Sequence, residues 1–446
     1  MAFERVNQQR SFYFIGIGGI SMSGLARYLL QHGHLVKGSD LLGGEQVEKL
    51  RLLGVDIVVG EGVDTSRIDG VDVVVYTDAV SLGNKELVYA LSSAKTVLSR
   101  AELLREICSD FRRVIAVGGS HGKTTCTAMC AHILSAVGVP FSAHIGGEDL
   151  SFGNFCFAGN DYFVSEACEY KKNLLKVPAD VAILLNVDKD HMECYLGEED
   201  LFRTFQTFCD GAPVSVVCLD DSCGARIGGS VTFSLCDKKA DYYASCIRQE
   251  RERYSFTVVE YGVRVCRVSL KVIGRHNVYN ALAAFAAMRS FGFSGQEIKR
   301  GLEAFTGVKR RFETVGAYKG AEVICDYAHH PKEIESVVRA ARRMVKGKLY
   351  VVFQPHTFSR TRALMDEFVK TLKDVHGLMI YKTYPAREPF DEAGDAKVLA
   401  GRIGSCLYSD SIYSLRTWLN HTVSDGDCVL FLGAGDIYYL AKYLVR

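Results

Sequence analysis

The segment Val114–Met129, which reads VIAVGGSHGKTTCTAM, constrains the fold of this chain more than any other. The apolar run Val114–Val117 predicts a buried strand, a glycine-rich turn follows it, and a helix is predicted to begin at Lys123. Glycines let backbone N–H groups approach phosphate oxygens, and a helix N-terminus adds partial positive charge. This order of parts therefore predicts an α/β domain with a phosphate-binding loop.

The side chains of the loop favour a nucleoside triphosphate with Mg²⁺. The Lys123 ammonium would reach the β- and γ-phosphates, and the Thr124 hydroxyl would bind Mg²⁺. The spacing departs from the usual phosphate loop, because Val117 stands where its first glycine would be. We interpret GSHGKT as a shorter loop rather than as an ordinary strand–helix turn that carries a lysine. The predicted nucleotide-binding residues of this loop are Gly118, Gly119, Ser120, His121, Gly122, Lys123, Thr124 and Thr125.

Composition excludes several classes of function. A chain of 446 residues is too long for one core and predicts two to four domains. With 53 Lys and Arg against 52 Asp and Glu, the net charge of +1 gives no basic field for nucleic acid or a membrane surface. No apolar run is long enough to cross a bilayer, and the N-terminus lacks the apolar core of a signal peptide. The fifteen scattered cysteines form no CxxC pair, so we expect reduced thiols in a cytoplasmic protein.

Residues 1–107 form the first predicted domain, a doubly wound parallel sheet of the Rossmann-like type. The predicted strand Phe12–Ile17 runs into the turn GIGGIS, and a helix is predicted over Met22–Gln31. Ser21 replaces the third glycine of a dinucleotide fingerprint, so NAD is weakly supported, although the turn still suits a diphosphate. Asp40 follows the next predicted strand, where it would accept from a ribose hydroxyl or would be a plain surface acid.

Two further α/β domains are predicted, over residues 108–308 and 309–446. The second domain contains the phosphate loop, antiparallel strands over 214–270 and a helix beginning near Asn277 or Asn280. Apolar runs predict further strands in both domains, at Tyr162–Glu166, Val181–Asn186, Val323–Asp326, Leu349–Phe353, Gly377–Tyr381 and Cys428–Leu432. Ligands of open α/β sheets bind at the carboxyl ends of such strands.

Glu166 and His191 each follow a predicted strand of the second domain. If both strands flank the phosphate-loop strand, their ends meet at one edge of the sheet. A carboxylate and an imidazole there could hold a second Mg²⁺ beside phosphate oxygens. Imidazole is an unusual ligand for so hard a cation, so a solvated glutamate and a loop histidine remain alternatives.

Several polar clusters in the rest of the chain are candidates for a cleft closed by the third domain. His276 and Asn277 stand at a predicted helix start, where one of them would be a cap. Arg310 and Arg311 are either a solvated pair or a phosphate clamp. The remaining clusters, DYAHHP and FQPHTFSRT, contain Asp326, His329, His330, His356 and Arg360.

Cys126 lies in the first turn of the phosphate-loop helix. A helix N-terminus can lower the pKa of a thiol. We therefore expect a lowered pKa for Cys126, and the hypothesis follows that its oxidation blocks nucleotide binding.

The motifs, taken together, resemble those of the Mur ligases. They occur in the family's order over nearly the whole chain, and several are typical of the branch that adds alanine. The matching segments are GIGGISMSGLA, GGSHGKTTCTAM, SEACEY, NVDKDHMECY, GRHNVYNALAA, KRRFE, DYAHHPKE, FQPHTFSRTR, YPAREP and GAGDI.

The resemblance implies a Rossmann-like N-terminal domain for a UDP-sugar, a central P-loop ATPase-like domain for ATP and a Rossmann-like C-terminal domain for an amino acid. It implies that, with Mg²⁺, the γ-phosphate of ATP passes to the lactyl carboxylate of UDP-N-acetylmuramate in peptidoglycan precursor synthesis. L-alanine then attacks the acyl phosphate. Alternatives are a recycling ligase that adds a whole peptide, a nicotinamide dehydrogenase and a non-catalytic nucleotide-binding regulator.

The resemblance also assigns roles to individual residues. It implies catalytic roles for Lys123, His191, Arg311 and His330, and contacts to ATP for Asn277, Arg311 and Asp326. It places the metal ions at Thr124, Glu166 and His191. It assigns the UDP-sugar to Gly16, Gly18, Gly19, Ser21, Met22 and Asp40, and the amino-acid side to His329, His356 and Arg360.

Overall fold

The computed structural model describes residues 9–61, 64–93, 95–250, 253–386 and 388–445; Arg387 of the YPAREP motif lies outside them. The chain divides into two compact units. The first comprises Met1–Arg248, Ser255–Lys271 and Asn277–Thr306, and the second comprises Gln249–Tyr254, Val272–His276 and Gly307–Arg446. The described residues form three β-sheets, which confirms the predicted α/β class. The division into three domains at residues 107 and 308 stays a prediction.

The first sheet is the predicted doubly wound parallel sheet. Its strands are β1 Ser11–Ile15, β2 Leu35–Asp40, β3 Asp56–Val59, β4 Val73–Tyr76 and β5 Thr96–Ser99. Its helices are α1 Ile20–Gln31, α2 Glu45–Leu52, α3 Lys85–Ser92 and α4 Arg100–Cys108. The strand order is β3-β2-β1-β4-β5, with every pairing parallel. Phe12 and Phe14 pack into one core and Tyr13 and Ile15 into another, so both faces of β1 are covered, as a parallel sheet requires.

The second sheet has its strands in the order β15-β14-β13-β12-β11-β10-β6-β9-β7-β8. The strands are β6 Arg113–Gly118, β7 Phe141–Asp149, β8 Gly153–Phe157, β9 Tyr162–Glu166, β10 Val181–Leu184, β11 Val214–Cys218, β12 Val231–Ser234, β13 Tyr242–Glu250, β14 Arg253–Glu260 and β15 Val263–Ser269. The helices are α5 Lys123–Val137, α6 Glu198–Asp210, α7 Ser222–Ile227, α8 His276–Arg289 and α9 Gly295–Ala304. Because β9 and β10 flank β6, their carboxyl ends meet beside the phosphate loop, as expected.

The prediction of antiparallel strands over 214–270 is wrong for β11 and β12 and for the pairing of β13 with β12. β11 runs parallel to β10, β12 to β11 and β13 to β12, whereas β14 and β15 pair antiparallel. Parallel neighbours need crossover connections, and the short helix α7 supplies one between β11 and β12. Its sequence, SCGARI, carries no helical pattern strong enough to reveal this crossover.

The third sheet lies in the second unit and has the order β16-β17-β21-β18-β19-β20. Its strands are β16 Glu313–Tyr318, β17 Ala321–Asp326, β18 Leu349–Phe353, β19 Leu378–Tyr381, β20 Leu407–Ser409 and β21 Cys428–Leu432. Its helices are α10 Pro331–Met344, α11 Phe358–Ala363, α12 Met365–Leu372, α13 Ala396–Ile403, α14 Ile412–Thr422 and α15 Ile437–Leu444. The edge strand β16 is antiparallel and the other pairings are parallel.

The helices are short relative to a bilayer. Within the part of the chain that the structure describes, none is long and apolar enough to cross a membrane.

Candidate active site

The phosphate loop is held by the residues that follow β10. The backbone N–H of Ser120 donates to the carbonyl of Asn186 (3.0 Å), and the His121 N–H donates to the Asn186 side chain (2.8 Å). The Asn186 amide donates back to the His121 carbonyl (3.0 Å), and the Asp188 N–H donates to the Ser120 hydroxyl (2.8 Å). Gly119 and Gly122 have φ of +130° and +87°, which favour glycine. The loop is therefore fixed before any ligand binds.

Lys123 begins α5 and turns back across the loop. Its ammonium donates to the carbonyl of Gly119 (2.6 Å) and of Ser120 (2.9 Å), and it forms a 2.9 Å ion pair with the buried carboxylate of Glu169. Burial alone would lower the pKa of Lys123, but the nearby carboxylates of Glu169 and Glu166 outweigh it and raise the pKa. Lys123 is therefore a fixed cation. We did not predict from the sequence that Glu169, the second acid of SEACEY, pairs with Lys123.

Glu166 ends β9 directly beside the phosphate-loop strand, where it pairs with Val117 of β6. One carboxylate oxygen accepts from the Gly146 N–H at 2.7 Å. A Cβ on residue 146 would lie 2.4–2.6 Å from the carboxylate, so Glu166 can hold this position only while residue 146 is glycine. Glu166 is thus packed into a defined orientation at the end of the sheet.

His191 lies with two acids after β10. The ligand atoms of Glu169, Asp190 and His191 are within 4.8 Å of one another, and the His191 backbone is left-handed with φ +54°. Two carboxylates and one imidazole form a donor set that fits a divalent cation. Asp190 was not predicted here, although it stands beside His191 in NVDKDHMECY.

The glycine turn of the first sheet is organised by Asp40. Its two carboxylate oxygens accept from the N–H of Gly18 (2.7 Å) and of Leu42 (3.1 Å). Gly16 donates to the Ser39 carbonyl (2.8 Å) and Gly19 precedes the first turn of α1. Asp40 therefore shapes the turn itself and is not a plain surface acid, and its contact with a ribose hydroxyl stays a prediction.

The other two residues predicted for the turn lie on α1. Ser21 forms a 3.0 Å hydrogen bond with His144 of β7, and Met22 is buried in the core of the first unit. The Met22 side chain is therefore in the core, and binding of a diphosphate by the backbone of the turn stays a prediction.

In the second unit, Asp326 is buried at the end of β17. Its carboxylate accepts from the N–H of Ala328 (2.7 Å) and of Phe312 (2.8 Å). The guanidinium groups of Arg310 and Arg311 each lie 5.0 Å from the ring of Tyr327. Arg310 also donates to the Gly435 carbonyl (2.7 Å), so this arginine is anchored to GAGDI, the last of the motifs.

Four histidines of the second unit were predicted at the site. The rings of His329 and His356 lie 5.6 Å apart, and the Arg360 guanidinium is 3.3 Å from His356 Nδ1, so the three predicted amino-acid-side residues are together. His356 stacks on Tyr384, which was not predicted although it begins the YPAREP motif. Of the remaining two, His330 is buried at the N-cap of α10, whereas His276 is exposed at the start of α8. The adjacent Asn277, in the first unit, is buried and accepts from the Asn280 amide (3.0 Å).

Asp326 makes the second unit sensitive to pH. Burial raises the pKa of its carboxyl to about 6, against the lowering influence of Arg311. The native state therefore holds an extra proton between about pH 4 and pH 6, so this group stabilises the fold below that window and the contribution is lost above it. Relative to Asp326→Asn, the wild type should lose up to about 3 kcal/mol of unfolding free energy from pH 4 to pH 7. Urea unfolding followed by the single tryptophan, Trp418 of α14, measures both curves; a constant gap between them contradicts the prediction.

The expected low pKa of Cys126 is wrong. Helix α5 is buried on nearly all its faces, and burial, followed by the neighbouring Cys130, raises the pKa of the Cys126 thiol well above its usual value. We therefore expect equal peroxide inhibition of wild type and Cys126→Ala. Mass spectrometry after iodoacetamide treatment should find the exposed Cys236 and Cys246 alkylated first. Early modification of Cys126, or resistance of the alanine variant, would restore the original hypothesis.

Comparison with protein families covers almost the whole chain. Residues 11–112 match the Mur ligase family catalytic domain, residues 117–288 the Mur ligase middle domain, and residues 310–435 the Mur ligase glutamate ligase domain. The family is ATP-dependent. These three matches follow one another in the order of the three sheets.

Individual relatives extend over the full length. The UDP-N-acetylmuramate–L-alanine ligase of Acetivibrio thermocellus is 38% identical and that of Clostridium acetobutylicum 36%, over 99% of this chain and 96% and 99% of theirs. The crystal structure of a UDP-N-acetylmuramate–alanine ligase from Thermotoga maritima superposes with a TM-score of 0.86 at 29% identity, over 98% of both chains. A murein peptide ligase from Psychrobacter arcticus, at 24% identity and a TM-score of 0.76 over 98% of both chains, shares the fold. With its phosphate loop, its ordered motifs and relatives of this identity along its whole length, the chain belongs to the Mur ligase family.

Proposed function

We propose that this chain is an ATP-dependent ligase that joins L-alanine to the lactyl carboxylate of UDP-N-acetylmuramate, releasing ADP and phosphate. The observation that carries the proposal is the full-length similarity to relatives named UDP-N-acetylmuramate–L-alanine ligase. The fixed Lys123 cation, which forms an ion pair with Glu169 beside the phosphate loop, supports it. Peptidoglycan precursor synthesis follows from the substrates, and we place the reaction in the cytoplasm. The fifteen cysteines, all free thiols, are in keeping with a reducing compartment.

The residues of the first unit support transfer of a phosphoryl group. We propose that backbone N–H groups of the loop Gly119–Gly122 and the start of α5 bind the ATP phosphates, and that Lys123 neutralises the charge that develops on the transferred group. Thr124, Glu166 and His191 would hold Mg²⁺, with Glu169 and Asp190 beside His191. Bound Mg²⁺ would offset negative charge on the phosphate oxygens.

The other ligands have their own candidate residues. We propose that the turn over Gly16, Gly18 and Gly19, shaped by Asp40, binds the UDP-sugar diphosphate at the start of α1. Arg311, Asp326 and Asn277 are proposed nucleotide contacts. The cluster of His329, His356 and Arg360 carries nitrogen donors suited to carboxylate groups, which supports the amino-acid side, and His330 is proposed beside them.

Phosphate release tests the proposal. The enzyme is incubated with ATP, Mg²⁺ and UDP-N-acetylmuramate, either alone, with L-alanine, or with a tripeptide that begins with L-alanine. We expect release that depends on both the UDP-sugar and L-alanine. Turnover with the tripeptide alone would make the chain a recycling ligase, and no turnover with either acceptor would contradict the proposal.

A further inference from the structure

A buried histidine joins the glycine turn of the first sheet to the phosphate-loop sheet within the first unit. His144 lies on β7 and is only 2% exposed. Its Nε2 is 3.0 Å from the Ser21 hydroxyl at the start of α1, and its Nδ1 is 3.1 Å from the Ser165 hydroxyl of β9. One imidazole thus contacts two hydroxyls that lie 144 residues apart in sequence, one on helix α1 and the other on strand β9.

The protons in this chain of hydrogen bonds can be assigned. The Ser165 hydroxyl donates to the Glu166 carbonyl (3.2 Å), so its oxygen accepts from Nδ1–H of His144. A neutral ring then has a lone pair on Nε2. Nε2 is 3.0 Å from the Ser21 hydroxyl and 3.3 Å from the Ser21 carbonyl, so it accepts from the hydroxyl. The oxygen of that hydroxyl in turn accepts from the Arg100 guanidinium (3.4 Å). The hydrogen bonds therefore run in one direction from Arg100 to Glu166.

Both ends of this network lie beside residues proposed to bind ligands. Ser21 stands in the first turn of the helix whose N-terminus faces the proposed diphosphate. Ser165 directly precedes Glu166 on β9, and the neighbouring strand β7 contacts both residues. His144 contacts Ser165, and Gly146, two residues later, donates to the Glu166 carboxylate. Asn154 of β8 adds a second tie to α1, because its amide donates to the Ile20 carbonyl (2.7 Å). The close approach continues at Gly24, where a Cβ would lie 3.2 Å from the His144 ring.

We propose that His144 is a positioning residue, which orients Ser21 for the UDP-sugar through Nε2 and the Ser165–Glu166 strand end for Mg²⁺ through Nδ1. The inference rests on the proposed function and adds to it a residue that would act through Ser21 and Ser165. The network requires a neutral ring, because Nε2 must accept. Burial, with the Arg100 cation second, lowers the pKa of His144 to about 4, so the ring is neutral throughout the physiological range.

Two substitutions separate the two contacts. In His144→Asn the amide nitrogen occupies roughly the position of Nδ1, so the Ser165 bond is kept and the Ser21 bond is lost. In His144→Gln the amide oxygen extends to the position of Nε2, so the Ser21 bond is kept and the Ser165 bond is lost. We expect the asparagine variant to raise KM for UDP-N-acetylmuramate about tenfold with little change in the Mg²⁺ requirement. The glutamine variant should raise the half-saturating Mg²⁺ concentration about tenfold with little change in that KM.

The experiment combines steady-state kinetics with calorimetric titration of UDP-N-acetylmuramate into the full chain without ATP. Matched controls are His132→Asn and His132→Gln, at another buried histidine of the first unit, which is 3.2 Å from the Asp149 carboxylate. These should lower Tm without separating sugar affinity from Mg²⁺ requirement. If both His144 variants change the two quantities in parallel, or neither, the residue only packs and the inference is overturned. If the wild type does not bind the UDP-sugar, the proposed function fails, and that result is visible before any variant is made.

Discussion

Replacing Lys123 by methionine is expected to lower the rate of phosphate release by about 10²–10³-fold, the loss typical of removing one preorganised charge-stabilising group. Phosphoryl transfer spreads negative charge over the equatorial oxygens, and catalysis depends on fixed cations at that position. Lys123 is such a cation, because two loop carbonyls and Glu169 hold its ammonium within 2.6–3.0 Å. Methionine keeps the length and the apolar contacts of the side chain but removes the charge.

The same substitution leaves the Glu169 carboxylate buried without its cation, which costs about 3–5 kcal/mol of stability. A lower rate of phosphate release caused by unfolding must therefore be distinguished from a slower phosphoryl-transfer step in the folded enzyme. Lys123→Met combined with Glu169→Gln removes both charges, and we expect it to recover Tm but not turnover. Lys172→Met is the matched control, because Lys172 forms a half-exposed ion pair with Asp200 and should leave the rate unchanged. A double variant that recovers Tm and also turns over at the wild-type rate would exclude the proposed role of Lys123.

The fold was largely accessible from the sequence because parallel strands buried on both faces are continuous apolar runs. Leu349–Phe353 and Cys428–Leu432 have the predicted bounds, and α5 begins at Lys123 as predicted. The phosphate loop was equally clear, since its glycines and lysine are contiguous. The parallel pairing of β11 with β12 was not predictable in this way, because it depends on a six-residue connecting helix whose sequence resembles a turn.

Side-chain partners that are distant in sequence could not be predicted. Glu169 meets Lys123 across 46 residues, and Gly146 touches Glu166 across 20, so neither pairing leaves a local pattern. The pKa of Cys126 depends on how completely α5 is covered, a property of the whole second sheet rather than of the first helical turn. Asp40 was predicted from its place after a strand, but its actual contacts follow from the loop conformation.

Gly146→Ala is expected to raise the Mg²⁺ requirement and lower turnover by about 10–100-fold, although it adds only a methyl group. The added Cβ would lie 2.4–2.6 Å from the Glu166 carboxylate, far inside contact distance, so that side chain must turn away and lose its 2.7 Å bond from the Gly146 N–H. If Glu166 binds Mg²⁺ as proposed, its displacement removes a ligand without changing any ionisable group. Titration of activity with MgCl₂ measures the effect.

Combining Gly146→Ala with Glu166→Gln tests whether the effect of the first substitution passes through the Glu166 carboxylate. Two changes that act on the same group are not additive, so Gly146→Ala should add little loss of activity to that of Glu166→Gln. Gly401→Ala on α13 is the matched control, since a Cβ there meets no atom within 4 Å and alanine should stabilise the helix by about 0.5–1 kcal/mol. Full additivity of the two losses would mean that Gly146 acts on the strand rather than on Glu166. A wild-type Mg²⁺ curve for Gly146→Ala would instead remove Glu166 from the proposed metal site, because its carboxylate cannot stay in place beside the new methyl group.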